Sequence, residues 1–544
     1  MRGIELIVVL LAVSAALRLL ARSLGVPHPI LLVLAGLGLA LIPQLPRIDV
    51  APDALFLLFV PPLLYWGSLT TSLRDLRRQS APIARYGTLV VLLTTAVVAV
   101  VAHWLTQEFT WAAAFVLGAI VSPPDPVAAI AVLRPLGVPR DIISILEGEG
   151  LVNDATALVC YQIAVGAVVT GTFSPERAAV RFIITGVGGV GIGIGVGWLV
   201  ALVRQKLIGR FPIVENTVSL LTPFFAYLPA EWLGVSGVLS VVAGGLYLGR
   251  QGPRIVAPAT RVQAESMWTM VQFLLESLVF ILVGLELRDV VSSLQLHALR
   301  RLSGYALVIV LSLIIVRLVY TFSAVAFVRV WRRHRRQPSP SWREAAFVGW
   351  TGMRGGDSLV IALALPLTTA AGSRFPARDL IIFLTFAAIL GTLVLQGFTL
   401  VPLLRLLKLR SNGEEDREEA HARHAAARAG LIRLNRISQG ANVHPVALRD
   451  LRKKYEDHLR RWASRDGDQN EGQPPASDNE RQATSYRGLR AEMIQAERDE
   501  VVTLRDQGRI GDDIMRRIQR DLDLEIMLLE SAEDDAPETP YDLA

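Results

Sequence analysis

From residue 3 to about residue 404 the chain alternates long apolar runs with short polar connections, and the runs are too continuous for the alternating strands of a membrane barrel. Segments of spanning length fall near 3–22, 27–45, 53–69, 82–105, 110–132, 142–170, 179–203, 213–232, 234–249, 265–287, 302–328, 344–370 and 379–404. That is about thirteen helices by the rule that roughly 20 apolar residues cross a bilayer. Beyond about residue 410 the period becomes that of soluble helix: 414–437 and 445–464 set apolar positions among Ala, Leu, Arg and Glu, with Pro445 in a first helical turn. Residues 467–484, with Pro474 and Pro475, read as a polar linker, and helices near 486–507 and 510–531 precede an acidic end. The expected organisation is a transmembrane domain over 1–410 and a helical cytoplasmic tail, regulatory or assembling, over 411–544.

Two of the spans are visibly interrupted. Val121-Ser-Pro-Pro-Asp-Pro126 carries three prolines, which remove amide donors and push the preceding residues out of the helical region. Thr351-Gly-Met-Arg-Gly-Gly-Asp-Ser358 carries bend-permitting glycines together with two charges, Arg354 and Asp357, at membrane depth. They fall in the fifth and twelfth spans, the penultimate members of two six-helix halves on either side of the seventh. Paired breaks at corresponding positions point to an inverted-repeat transporter with its site at the midplane.

Composition and charge change the picture little. The formal net charge is +6, but the arginines before Lys408 sit between apolar runs, so they read as loop topology rather than a nucleic-acid surface. Alternate connections beginning with 19–27 hold most of them, including Arg18, Arg22, Arg74, Arg77, Arg78, Arg85, Arg134, Arg140 and Arg329 to Arg336. The opposite loops hold fewer, which places the N-terminus outside and the tail in the cytoplasm. The first run, Ile4 to Leu20, is read as a retained span and not a cleaved signal peptide. Cys160 is the single cysteine, so neither a disulfide framework nor a thiolate metal site is expected.

The sixth span concentrates the chemistry, in Glu147-Gly-Glu-Gly-Leu-Val-Asn-Asp154 followed by the apolar run Ala155 to Val169. A charge at mid-span costs at least ~2.5 kcal/mol, so such a carboxylate is a functional-site hypothesis by default. Asp154 lies about twelve residues into this helix, roughly 18 Å at 1.5 Å per residue and near the middle of a ~30 Å core. At about 100° per residue Glu147 shares its face, whereas Glu149 points about 140° away. Glu147 is therefore expected either to line an aqueous cytoplasmic approach or to snorkel to the lipid headgroups, and Glu149 to need a buried cation, for which Arg354 is the candidate. A carboxyl withdrawn from water is costly as a bare anion, so either a proton or a cation accompanies it, and the two compete. Such competition suffices for antiport if only loaded states change between inward and outward forms. Asn153 adds an amide that orders the site without titrating.

At these residues the sequence resembles the monovalent cation:proton antiporter superfamily, in its sodium/proton exchanger branch. The matching pieces are Pro61-Pro-Leu-Leu-Tyr65, Asp125-Pro-Val127, Gly148-Glu-Gly-Leu-Val-Asn-Asp154, Glu231 with Gly234-Val-Ser-Gly-Val238, Glu276-Ser-Leu-Val-Phe-Ile-Leu-Val-Gly284 and Gly352-Met-Arg-Gly355. Their order and spacing cover nearly the whole membrane part. The resemblance implies an all-α polytopic fold of about thirteen helices, crossed broken helices, a homodimer in the plasma membrane, and exchange of Na+, or K+ or Li+, for H+. It implies that Asp154 is the ion- and proton-binding carboxylate, that the Asn before it goes with electroneutral exchange, and that Glu149 and Arg354 form a structural ion pair. No cofactor, nucleic acid or catalytic residue is expected; the partners are the bilayer, monovalent cations and protons.

This chain also departs from the family pattern. Trp66 stands where many relatives carry an acid, Pro124 replaces a hydroxyl residue before Asp125, Gly150 replaces another, and Asp357 is an added carboxylate. Backbone carbonyls freed by the proline break, that of Pro124 among them, or water are then expected to complete the cation's oxygen shell. Asp125 is placed with Asp154, Asn153 and Pro124 at the ion site, either neutralising helix N-termini where the broken ends meet or binding the transported ion itself. Glu276 either touches the ion path or pairs with Arg317, which is mid-span and needs a partner. Asp357 either joins the Glu149–Arg354 network or approaches Asp125. His421 and His424 share a helix face in the tail and read as solvated. A gated channel is disfavoured because no carbonyl filter or charge ring appears. An intramembrane aspartyl hydrolase is disfavoured because Arg354 occupies the position where its glycine motif would begin.

Overall fold

A computed structural model describes residues 3–24, 28–40, 52–72, 85–133, 138–172, 175–207, 211–292, 296–335, 341–409, 414–440, 445–463 and 480–534. Every regular element among them is helical: α1 Gly3–Leu24, α2 His28–Ala40, α3 Pro52–Thr70, α4 Val91–Leu105, α5 Trp111–Val121, α6 Pro126–Leu133, α7 Arg140–Thr170, α8 Pro175–Leu207, α9 Pro212–Trp232 and α10 Gly237–Ile255. The order continues with α11 Pro258–Ser292, α12 Leu296–Arg335, α13 Trp342–Trp350, α14 Gly356–Leu363, α15 Arg378–Leu407, α16 Glu414–Gly440, α17 Pro445–Ala463, α18 Glu480–Asp506 and α19 Asp512–Asp534. A widened helical turn, Arg85–Val90, leads into α4.

The two interrupted spans are interrupted in space as well. α5 stops at Val121 and α6 begins at Pro126, where the missing amide hydrogen of proline is no loss in a first turn. α13 stops at Trp350 and α14 begins at Gly356, with irregular backbone between them that is extended at Gly355. The loops that carry Arg47, Arg74, Arg77, Arg78 and Arg134, most of the 467–484 linker and the acidic end after residue 534 lie outside the described residues.

By their contacts the residues divide into two units, one of 1–203, 218–251 and 267–411, the other of 204–217, 252–266 and 412–544. In the first, a core that includes Leu117, Ile120, Leu146, Leu158, Phe347, Leu359 and Leu384 runs through α5, α7, α13, α14 and α15. Many large apolar side chains stay exposed, among them Trp104, Ile183, Val187, Trp198 and Ile315, as lipid-facing helices require.

The buried ion pair differs from the expected one. Glu149 on α7 is held by Arg317 on α12, not by Arg354. Both side chains are 2% exposed, Nη2 of Arg317 donates to Oε2 at 2.9 Å, and Nη1 donates to Oε1. The reason lies at Gly352, where a Cβ would fall 2.4 Å from Cδ of Arg317, so the bare backbone there gives the guanidinium room beside the break. Arg317 also donates to the carbonyl oxygen of Val348. Its partner is thus Glu149 and not Glu276, whose Oε1 accepts from Nε2 of Gln272 at 2.7 Å.

The second unit has its own core, built from Ala422, Ala426, Ile494, Val501, Leu504, Ile514 and Ile518 on α16, α18 and α19. Within it, three ion pairs join the tail helices to 252–266: Arg254 with Asp506, Arg261 with Asp523 at 3.3 Å, and Arg520 with Glu265 at 3.2 Å. Buried Arg490 donates to both oxygens of Glu525 and, at 2.9 Å, to Oε1 of Glu497, while Tyr455 supplies its ring beneath the guanidinium and its hydroxyl to Glu497. Burial, with the nearby Glu525 charge adding to it and Arg490 opposing, pushes the Glu497 carboxyl up to about 7.

Two outcomes are expected. Replacing Arg317 by Ala strands a buried carboxylate and should cost ~3–5 kcal/mol, read as a lower melting temperature and less folded protein in detergent; removing both charges with Glu149→Leu and Arg317→Met should recover most of it. Wild-type melting of Arg317→Ala would contradict the pair. Glu497 keeps its proton to about pH 7 when folded but loses it at ordinary carboxylate pH when unfolded. Stability of the tail should therefore fall as pH rises through that interval and level off above it. In full-length protein, Glu497→Gln should flatten this slope, measured by hydrogen exchange in α18 across that range; an unchanged slope would reject the assignment.

Candidate ion-binding site

The two breaks meet. The backbone N–H of Asp125, in the first break, donates to the carbonyl oxygen of Met353, in the second, at 2.7 Å. A Cβ on Gly355 would lie 2.2 Å from Oδ2 of Asp125, so glycine is what allows that carboxylate to rest on the backbone just before α14. The start of a helix presents unbonded amides and a positive dipole end, which suits an anion there.

α7 packs against this crossing with Asn153 and Asp154. Nδ2 of the fully buried Asn153 donates to the carbonyl oxygen of Pro124 at 3.0 Å, a group that the prolines around it leave available. One turn earlier a Cβ on Gly150 would fall 2.3 Å from Cγ of Pro126. No side chain fits at Gly150 unless that ring moves, so the missing hydroxyl is a packing requirement of the α6–α7 contact.

A cavity of about 30 Å³ lies at the crossing, lined by Val60, Leu64, Pro123, Asp125, Asp154, Leu158, Val238, Gly355, Asp357, Ser358 and Ile361. Since one water needs roughly 10–15 Å³, the space suits one or two waters or a largely dehydrated monovalent cation. Its lining brings together three carboxylates, one hydroxyl and no positively charged side chain. Among the described residues no group of three acidic, His or Cys side chains is close enough to form a ready-made metal cage. The arrangement can therefore hold a cation or a proton through one or two carboxylates with backbone and water, in the loose manner that reversible binding needs.

Of the sequence candidates, Asp154, Asp125 and Asp357 line the cavity, and Asn153 with Pro124 support its wall. Glu147 and Glu276 are partly buried and do not line it; Glu149, Arg317 and Arg354 lie outside the lining as well. Arg354 is 1% exposed, and its Nε and Nη1 have no hydrogen-bond partner among the described residues, while its backbone N–H donates to Oγ1 of Thr392. Trp66 stacks on Trp268, centroids 5.8 Å apart and rings 10° from parallel, and Trp268 donates to Oγ of Ser219. Sequence reasoning missed Ser358 and the apolar wall. Two wall residues, Leu64 and Val238, lie inside the family-like stretches, which was the available signal.

Residues 8–406 match the family described as sodium/hydrogen exchanger, transmembrane. An uncharacterized Na+/H+ exchanger of Mycobacterium tuberculosis is 32% identical over 538 residues, covering 98% of this chain and 97% of that protein. A sodium, potassium, lithium and rubidium/H+ antiporter of Bacillus pumilus is 34% identical over 437 residues, 78% of this chain and 65% of that protein. Among solved structures, the sodium proton antiporter MjNhaP1 from Methanocaldococcus jannaschii superimposes with a TM-score of 0.58 at 22% identity, covering 75% of this chain and 98% of that one. The chain belongs to the transmembrane sodium/hydrogen exchanger family.

Proposed function

We propose that this protein is a secondary active antiporter that exchanges a monovalent cation for a proton by alternating access, with Asp154 binding the two in turn. The observation that carries this reading is the carboxylate of Asp154 facing a small cavity at the crossing of two broken helices. A bare anion there is costly, so release of the cation draws in a proton and arrival of the cation expels it. One carboxylate exchanging one charge for one charge makes the cycle electroneutral, in keeping with the uncharged Asn153 beside it. Asn153 holds the proline break in register through the Pro124 carbonyl, and Asp125 neutralises the start of α14.

Na+ is the first cation in this reading, with K+ and Li+ as further substrates; the breadth of cations in the name of the Bacillus pumilus relative supports the latter. About thirteen helices cross the plasma membrane, as two inverted six-helix repeats, with the N-terminus outside and residues 411–544 forming a cytoplasmic regulatory or assembly domain. The protein works as a homodimer in pH and sodium homeostasis, needs no cofactor, and carries no enzymatic centre. Glu147 borders the cytoplasmic approach to Asp154.

In everted vesicles, Asp154→Asn should abolish cation-dependent proton movement while the protein still inserts at wild-type levels, and wild-type exchange should be insensitive to an imposed membrane potential. Undiminished exchange in Asp154→Asn would sink the assignment of the binding carboxylate; a potential-dependent wild-type rate would sink electroneutrality alone.

A further inference from the structure

We propose that Asp357 is a second cation ligand, sharing the transported ion with Asp154 and setting its selectivity; this rests on the antiport reading above. Asp357 is the second residue of α14 and lines the same cavity as Asp154. Its side chain accepts no hydrogen bond from the described residues. It is not required as the anion for its own helix start, because Asp125, reaching across from the other break, already rests against Gly355 there. Two carboxylates at one helix N-terminus are more than the partial charge of roughly half a unit can offset. The surplus negative charge faces the cavity.

The same conclusion follows from the oxygen count. A hard monovalent cation entering a cavity of about 30 Å³ sheds most of its water and needs oxygens in return. The lining draws its side-chain oxygens from Asp125, Asp154, Asp357 and Ser358, and three further positions are committed otherwise. Gly150 is closed by the ring of Pro126, Trp66 is stacked on Trp268, and the Pro124 carbonyl is engaged by Asn153. Asp357 and Ser358 bring two oxygen-bearing side chains into the lining from the first turn of α14. A site with two carboxylates has a stronger field than one with a carboxylate and hydroxyls, which favours a small cation over a large one and raises affinity for both. The ion then bridges α7 and α14, so its binding is felt by a broken helix as well as by the helix that titrates.

The test uses purified full-length protein in two formats. In proteoliposomes, Asp357→Asn should raise the KM for Na+ and Li+ by about tenfold or more, with a smaller rise for K+, so that preference shifts toward the larger ion. In detergent, the NaCl concentration that half-maximally raises the melting temperature should rise by a similar factor, a readout independent of turnover. Asp357→Glu, which keeps the charge on a longer arm, should retain tight binding and alter the order of cations. Unchanged KM, selectivity and cation-dependent melting in Asp357→Asn would overturn the inference while leaving Asp154 as the exchanger's carboxylate. If Asp357→Asn does not fold, Asp357→Glu decides: an altered cation order supports a ligand role, and a wild-type order at wild-type KM removes it. Exchange that survives Asp154→Asn, by contrast, defeats the antiport assignment on which the proposal rests.

Discussion

A helix that stops inside a packed bundle leaves amides and carbonyls without helical partners, and this chain has two such breaks. The two breaks resolve this by meeting. Asp125 gives its amide to Met353 of the opposite break, Pro124 gives its carbonyl to Asn153, and Arg354 gives its amide to Thr392. Each bond satisfies a group that would otherwise be stranded, and together they tie α6, α7, α14 and α15 to one point. The position of Asp154 follows from that crossing, since its neighbour Asn153 is one of the ties. Changes at the prolines or glycines of either break therefore act on the ion site through backbone bonding, before any effect on a charged side chain.

The charges around the crossing are segregated. Three carboxylates face the cavity, while the two arginines lie outside its lining, and one of them is neutralised bidentately by Glu149. Arg354 is left as a buried cation whose charge is felt by both Glu149 and Arg317. A charge of this kind is tolerable in low dielectric only if opposite charge is nearby, and Glu149 is the carboxylate that acts on it. Neither guanidinium enters the lining of the site. The cavity is left to an exchangeable ion.

Much of this was legible in the sequence. The described helices lie on the predicted apolar segments, and the breaks at 121–126 and 351–358 are where proline and paired glycines place them. Asp154 and its amide neighbour were legible because a polar pair at mid-span is costly to keep in the hydrocarbon layer unless it serves a site. The partner of Glu149 was not. A helical wheel shows that Glu149 points away from Asp154, but two arginines were in reach and the choice between them turns on whether backbone blocks the path. Gly352 opens that path to Arg317, and a close approach between distant residues leaves no periodic trace. The wall of the cavity escaped notice for a similar reason: Leu64, Leu158 and Ile361 look like any apolar residue in a membrane helix until the crossing brings them together.

The departures from the family pattern become one feature once the packing is known. Pro126 begins α6 where its ring fills the space that a side chain at position 150 would need, so the proline start and the glycine imply each other. Trp66 lies flat on Trp268, so an acid at position 66 would give up a stacked aromatic pair. Losing an oxygen at each of these places would leave a weaker cation site if nothing else had changed. Asp357 adds carboxylate oxygens from α14, which lines the same cavity. If Asp154 and Asp357 share the ion, its side-chain oxygens come from α7 and from α14, the helix whose start is already anchored by Asp125.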